Sequence, residues 1–355
     1  MIESKHAIKL WENLLIHDDG ILGTGGTFCN LIGAFGHGKS TLLMEMAQFV
    51  RSLPYGVTKR DLRQRSPDDV CDVEMYPETV LMRGMSDDHW NCLLQRNWAK
   101  SFPDYGKSKP VVVHTHCNDN YSFTEVSPGK VRSINHGLNI KKYETPLDLM
   151  DNIKIGGINI IYEPSEYFLS EDMRNHLAQY KLQSAEDVKK EGTMAPSPTW
   201  WFEFSDTLLQ NTEGLHVTLI LDEFHDVATN YPTGDMFHIT GNFARSMIHF
   251  RKNNISMFTS THDEYLLDYR VKDRIPYRIW FPGSEPKKSM VQIKLLRSLD
   301  DVGECVIEEK NIEFGVLNFD RIHNQPPILK AHLSKEKSTA KRKKTGQRKR
   351  KEKTL

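Results

Sequence analysis

The run Gly33-Ala34-Phe35-Gly36-His37-Gly38-Lys39-Ser40-Thr41 constrains this chain more than any other feature. It follows an apolar segment, Thr27 to Ile32, that reads as a strand. It precedes Thr41 to Leu53, where Leu42, Met46 and Phe49 recur at helical spacing. Every fixed position of G-x-x-x-x-G-K-[ST] is matched, in the strand-to-helix context that the motif requires. Glycines at 33, 36 and 38 let consecutive N–H groups curl inward on phosphate oxygens. The helix starting near Lys39 aims its positive end at the same place. Lys39 is then placed for β- and γ-phosphates and Ser40 for Mg²⁺, so ATP and Mg²⁺ are the expected ligands of residues 33–41.

A second element, His216-Val-Thr-Leu-Ile-Leu-Asp222-Glu223, runs from an apolar strand straight into two acids. Its carboxyl end is expected beside the phosphate loop, with Asp222 holding Mg²⁺ and Glu223 polarising the attacking water. Ile158 to Glu163 is a rival of the same kind, but Glu163 stands alone before Pro164 and ranks second. A third strand, Ile255 to Phe258, leads into Thr259-Ser260-Thr261-His262, and Thr261 is expected near the γ-phosphate. Ser and Thr also favour turns, so a plain strand end is the alternative. Arg245 and Arg251, on a helix over Phe243–Arg251, are candidates for an arginine that reaches a neighbour's nucleotide; a solvated surface role competes.

Other signals weigh less. His114 and His116 share a strand face, but no further ligand pair is apparent for zinc. Trp90, Trp98, Trp200 and Trp201 suit core packing better than base stacking. No N-K-x-D is present to read guanine, and no LSGGQ-type signature of transporter ATPases. Cys29, Cys71, Cys92, Cys117 and Cys305 are scattered without a CxxC, which fits a reduced interior. The N-terminal residues carry charges where a secretion signal would be apolar, and no run is long enough to span a membrane, so a cytoplasmic protein is expected.

The 47 basic and 47 acidic residues balance only in total. Lys330 to Leu355 holds 12 Lys or Arg and 2 acids, which leaves 35 basic and 45 acidic residues in the body. The tail from Lys337 has almost nothing apolar to offset the entropy of ordering, and reads as disordered in isolation. Its runs Lys341 to Lys344 and Arg348 to Lys351 suit polyphosphate, hence nucleic acid; a nuclear-import address, an anionic-lipid contact or a solubilising tail would look the same.

Strands separated by helices predict an α/β fold, a mostly parallel central sheet flanked by helices. Further strands are expected at Glu78–Met82, Val111–His116, Ile158–Tyr162 and Arg278–Phe281. Helices are expected at Ile8–Ile16, at about Asp87–Lys100, at Glu171–Glu191 and around Trp201, Phe204 and Leu208. The stretch 118–154 shows few clear periods, and Gly192–Pro198 reads as a linker. The expected organisation is an N-terminal helix and turn at 1–26 and a nucleotide-binding domain at 27–285 with a long insertion at about 51–214. A β-rich extension at 286–329 and the basic tail at 330–355 follow.

With these residues in hand, the chain resembles the P-loop ATPases that carry a catalytic glutamate. Within them it is most similar to the HerA and FtsK group of DNA-pumping motors, which includes conjugative coupling proteins and viral genome-packaging ATPases. The likeness covers about residues 27–50 and 215–282. It lies in the glycine loop, the Asp222-Glu223 pair, the Arg-bearing helix and the strand ending near Thr261; where those families commonly have Thr-Gln, this chain has Thr261-His262. The resemblance implies a P-loop NTPase fold and a homo-oligomeric ring, such as a hexamer, that hydrolyses ATP at subunit interfaces and translocates double-stranded DNA. It also implies that Lys39, Glu223, Thr261 and Arg245 or Arg251 serve the chemistry. A slow nucleotide-dependent switch that orders a protein partner is the reading from another class, since one fold hosts both. A small-molecule kinase fits less well, given the long stretch between loop and acids.

Overall fold

The computed structural model describes residues 5–16, 25–52, 54–58, 73–94, 111–171, 173, 175, 196–212, 215–299, 303–319 and 328–334. In chain order its strands are β1 (Phe28–Ile32), β2 (Pro54–Thr58), β3 (Val73–Pro77), β4 (Thr79–Arg83), β5 (Asp87–Asp88), β6 (Val111–His116), β7 (Asn120–Ser127) and β8 (Lys130–Ser133). They continue with β9 (Asn139–Tyr143), β10 (Ile158–Tyr162), β11 (Val217–Leu221), β12 (Ile255–Thr261), β13 (Tyr277–Trp280), β14 (Glu304–Glu309), β15 (Glu313–Asn318) and β16 (Ile328–Ser334). The main helices are α1 (Lys5–Leu15), α2 (Lys39–Ser52), α3 (Pro146–Asn152), α4 (Pro196–Asn211) and α5 (Asp235–Lys252).

Ten strands form one sheet in the order β15-β14-β13-β1-β12-β11-β4-β10-β6-β9. From β13 to β9 every pair is parallel; β14 and β15 add an antiparallel hairpin at one end. Strands β1, β4, β10, β11 and β12 are buried along their whole length. Both faces of a parallel sheet are covered, so its strands read as continuous apolar runs. Successive side chains then divide between two cores. Leu31, Met82, Ile160, Ile220 and Phe258 face α1 and α2. Leu81, Ile161, Leu219, Leu221 and Met257 face α4 and α5, where Trp200, Trp201 and Phe204 supply much of the packing. At the start of β1 the backbones crowd: a Cβ on Gly26 would sit 1.8 Å from the Ile255 carbonyl oxygen, so only glycine fits there. The architecture is α/β, a mostly parallel sheet flanked by helices.

Several expectations need correction. The range 51–214 supplies β4, β6, β9 and β10 to the central sheet and is no insertion around it. The β-rich extension expected at 286–329 is present as β14 and β15, and it joins the main sheet through the pairing of β14 with β13. Lys330 to Ser334 belongs to β16, which pairs along its length with β7 in a small antiparallel sheet, β5-β16-β7-β8. Those residues alternate between buried and exposed and include Ala331, so the pattern is a strand's; residues 335–355 lie outside the described residues. In place of a helix from Asp87, the chain makes the short β5 and a 3₁₀ turn over Trp90–Leu94, and residues 95–100 are outside the described set. Buried Asp88 explains the difference, since Met85 and His89 donate their N–H groups to its carboxylate and fix a bend. The weakly patterned stretch 118–154 holds β7, β8, β9 and α3. Helix α4 begins at Pro196, inside the expected linker, and the helix expected at Glu171–Glu191 falls mostly outside the described residues.

Candidate nucleotide site

Every parallel strand ends on the same side of the sheet, and ligand sites of open α/β sheets collect there. At this edge β1 runs into the glycine loop, and α2 begins with the Leu42 N–H bonded to the Gly38 carbonyl at 2.9 Å. Gly36 and Gly38 have φ of +83° and +94°, the left-handed region that lets the loop curl. At Gly38 there is also no room, because a Cβ would lie 2.9 Å from the Phe319 ring.

Sheet order brings the loop to the acids. Strand β12 lies between β1 and β11, so three strand ends stand side by side. Ser40 Oγ donates to Asp222 Oδ2 at 2.8 Å, closing a sequence separation of 182 residues. Ser260 Oγ donates to the other oxygen, Asp222 Oδ1. The Glu223 N–H is shared between Asp222 Oδ1 at 3.1 Å and Ser260 Oγ at 3.3 Å. Glu223 itself sits at φ 50°, uncommon for a residue with a side chain, and this turns the chain sharply at the end of β11.

Lys39 is buried, and its ammonium donates to the Gly33 carbonyl at 2.7 Å and to that of Ala34 at 3.0 Å. Burial pushes its pKa down, against the pull of Asp222 and Glu223. His262 Nδ1 lies 3.5 Å from the same ammonium, and its Nε2 lies 3.2 Å from Glu223 Oε1. His225 Nδ1 is 3.4 Å from Glu223 Oε2. Behind the turn is Arg83, at the end of β4 and buried. Nε and Nη2 grip both oxygens of Glu163 at 3.0 and 2.8 Å, while Nη1 donates to the carbonyls of Asp222 and Glu223, each at 3.1 Å. Burial opposes the guanidinium charge, but Glu163, Asp226 and Asp222 outweigh it and hold the pKa above its usual value. Near Asp222, burial and that neighbouring charge push the Asp88 carboxyl up to about 7.

The structure thus gathers Gly33–Thr41, Asp222 and Glu223 at one place. Thr261 reaches the loop through its backbone, its carbonyl accepting the Gly33 N–H at 3.2 Å, but its side chain turns away. Its hydroxyl is wholly buried and accepts from Asn30 Nδ2 at 3.1 Å. Side chains alternate along β12, so Ser260 and His262 face the Asp222 side while Thr261 faces the other. Arg245 and Arg251 are both exposed on α5. Arg251 stands at the far end of the sheet, where its carbonyl accepts the Gly26 N–H ahead of β1. The rival acid Glu163 is committed to Arg83, Ser197 and Trp201. His114 is bonded to Asn159 and His116 to the Glu144 carbonyl, so neither is turned to a common metal. Trp90, Trp200 and Trp201 are wholly buried and pack the core; Trp98 lies outside the described residues.

Sequence reasoning passed over Arg83, Ser260, His225 and the contacts of His262. A signal existed for three of them: Arg83 ends an apolar strand on the site edge, and Ser260 and His262 share the two-residue period of Asp222's face.

Comparison with known proteins gives no family model that matches the chain, and no curated protein matches it. Among solved structures, the chain is similar to the genome packaging NTPase B204 from Sulfolobus turreted icosahedral virus 2 in complex with ATP-gammaS. The TM-score is 0.40 at 11% identity, over 82% of this chain and 97% of that one. It is also similar to the N-terminal domain of zonular occludens toxin from Neisseria meningitidis, with a TM-score of 0.29 at 11% identity over 84% and 96%. The pCW3 conjugation coupling protein TcpA with ATPgS follows, at 0.34 and 9% over 83% and 60%.

Proposed function

We propose that this protein is a Mg²⁺-dependent ATPase that acts as a homo-oligomeric motor on double-stranded DNA. The observation that carries the reading is the bond from Ser40 Oγ to Asp222 Oδ2, which joins loop and acid strand in one site. A hydroxyl and a carboxylate are the hard oxygen donors that suit Mg²⁺, and the left-handed glycines leave the loop's N–H groups free to curl on phosphate. Bound Mg²⁺ would neutralise charge on the β- and γ-phosphates. Lys39 would exchange its carbonyl partners for phosphate oxygens, and Asp222 would stay oriented by Ser260. Glu223 would accept the proton of the attacking water, its backbone fixed by Arg83 behind it.

An exposed aromatic rim beside the site supports the oligomer. Tyr231, Phe237, Tyr265, Leu266 and Tyr269 are all exposed, and Asn230 ties two of their loops together through the Tyr265 and Leu266 carbonyls. Patches of this kind mark interaction surfaces. In a ring, Arg245 or Arg251 would serve the neighbouring site, Arg245 with the shorter reach because Arg251 is at the opposite edge. The basic tail would add DNA affinity that falls steeply with salt. Among the described residues, no helix is long and apolar enough to cross a membrane, which is compatible with a cytoplasmic location.

The test is steady-state ATP hydrolysis with and without duplex DNA at two salt concentrations, beside Lys39→Ala and Glu223→Gln. Stimulation by DNA that fades with salt, lost in Lys39→Ala, is the expected result. Glu223→Gln should bind ATP and fail to turn it over. Binding with slow, DNA-indifferent hydrolysis would replace the motor with a nucleotide-dependent switch, and equal binding by Lys39→Ala would end both readings.

A further inference from the structure

Both carboxylate oxygens of Glu223 face imidazole nitrogens. Oε1 lies 3.2 Å from His262 Nε2, and Oε2 lies 3.4 Å from His225 Nδ1 and is shut off from solvent. A general base needs an oxygen within about 2.6–3.2 Å of the water it deprotonates. In this state neither oxygen of Glu223 is open to a water: Oε1 is covered by His262, and Oε2, which accepts no hydrogen bond, is buried. The backbone cannot be what changes, since its N–H is fixed by Asp222 and Ser260 and its carbonyl by Arg83.

His262 also touches the phosphate-binding cation. An ammonium only donates, so Nδ1, at 3.5 Å from Lys39 Nζ, must present its lone pair. The ring proton then sits on Nε2, the nitrogen 3.2 Å from Glu223 Oε1. The imidazole is held in this pose by the Phe35 ring, 4.4 Å away and tilted by 31°. Phe35 belongs to the glycine loop and is 82% exposed, so one exposed aromatic of the loop lies against the ring between loop and base.

We propose that His262 is a positioning residue that couples the ammonium of Lys39 to the carboxylate of Glu223, keeping Glu223 from water until a triphosphate draws Lys39 away. The inference rests on the ATPase reading and adds regulation to the same site. An empty site leaves Lys39 on its carbonyls and His262 in place, whereas a diphosphate offers the ammonium one phosphate group and a triphosphate two. A γ-phosphate removes the Nδ1 contact, and the imidazole then has no partner tying it to the loop.

The first arm is ¹⁵N NMR of the full chain labelled at histidine, with the His262 signals assigned by their loss in His262→Gln. The expected result is the Nε2–H tautomer in nucleotide-free protein, with Nδ1 shifting on addition of a non-hydrolysable ATP analogue and less with ADP. An Nδ1–H tautomer, or equal responses to the two nucleotides, overturns the proposal. This arm does not depend on turnover, so it is separate from failure of the ATPase reading, which shows as no nucleotide binding. The second arm is His262→Phe, which keeps the stacking on Phe35 and removes both nitrogens. Without DNA its kcat should rise about threefold or more at little changed KM, and His262→Gln should restore the wild-type rate. A fall in kcat in His262→Phe would show that the imidazole assists Glu223, and would overturn the restraint.

Discussion

Arg83 is the side chain on which the geometry of the acid turn depends, and Arg83→Met measures how much. The change deletes two bonds to Glu163, one to Ser197 at 3.0 Å and two to the carbonyls that flank the Asp222–Glu223 peptide. Glu163 would keep Ser197 and Trp201 but lose its counter-charge. Breaking a buried pair by removing one partner typically costs about 3–5 kcal/mol, because the remaining charge is stranded. Arg83 is 4% exposed but Glu163 is 21% exposed, and water reaching the carboxylate puts the expectation at the lower end, about 3 kcal/mol. For a large domain that corresponds to a Tm drop of about 6–12 °C. Urea unfolding followed by circular dichroism gives the free energy. Adding Glu163→Gln removes the stranded charge, so the double variant should recover at least about 1 kcal/mol relative to the sum of the singles. A loss below about 1 kcal/mol for Arg83→Met, or strict additivity, would refute the claim that this pair is a coupled, buried brace. The same variant should lower kcat while nucleotide affinity holds, since the phosphate loop keeps its own contacts.

Three shorter predictions test the site's geometry. Gly38→Ala forces a Cβ against Phe319 at a φ of +94° and should abolish binding of a fluorescent ATP analogue, with Phe319→Ala restoring only part of it. Ser260→Ala should weaken Mg²⁺-dependent nucleotide binding, whereas Thr261→Ala should lower stability by about 1–2 kcal/mol and leave hydrolysis within twofold; the reverse result would mean that the faces of β12 are misassigned. The Asp88 carboxyl, pushed up to about 7 from an unfolded value near 4, takes up a proton on folding between those limits. Its contribution is therefore fully present below pH 4 and lost as the pH rises through 7. The stability of Asp88→Asn relative to wild type should improve steadily from pH 5 to pH 8, as read from urea midpoints.

The glycine loop and the Asp222-Glu223 strand were legible because both are local. A turn that needs three glycines, or an apolar run that ends in acids, is written in contiguous residues. The central strands at 78–82, 111–116 and 158–162 were visible as apolar runs, but their place in the sheet was not. Strand order depends on pairings between residues hundreds of positions apart, and the long interval between loop and acids read as an insertion. Thr261 shows another limit. Its residue type suited a phosphate sensor, but β12 is buried on both faces, so burial gave no clue to which of two adjacent hydroxyls faces the site. Arg83 was hidden by the opposite bias, since an arginine after Met82 suggests a strand leaving the core, and partners far away in sequence, Glu163, Ser197 and the Asp222 and Glu223 carbonyls, make it a buried residue.

The position of β1 has a consequence for how the protein is made. Cys29 pairs with Phe258 on one side and Tyr277 on the other, so the strand that carries the phosphate loop has neither neighbour until most of the chain exists. At ~5–20 residues per second, the ribosome takes roughly 10–50 s to supply them. Throughout that time Phe28-Cys-Asn-Leu-Ile32 is an apolar segment with two open edges, the kind that invites wrong pairing. The loop and the Asp222-Glu223 turn therefore come together late and all at once, when β12 pairs with β1 and β11, and a nascent chain stalled before Ile255 would be a client for chaperones.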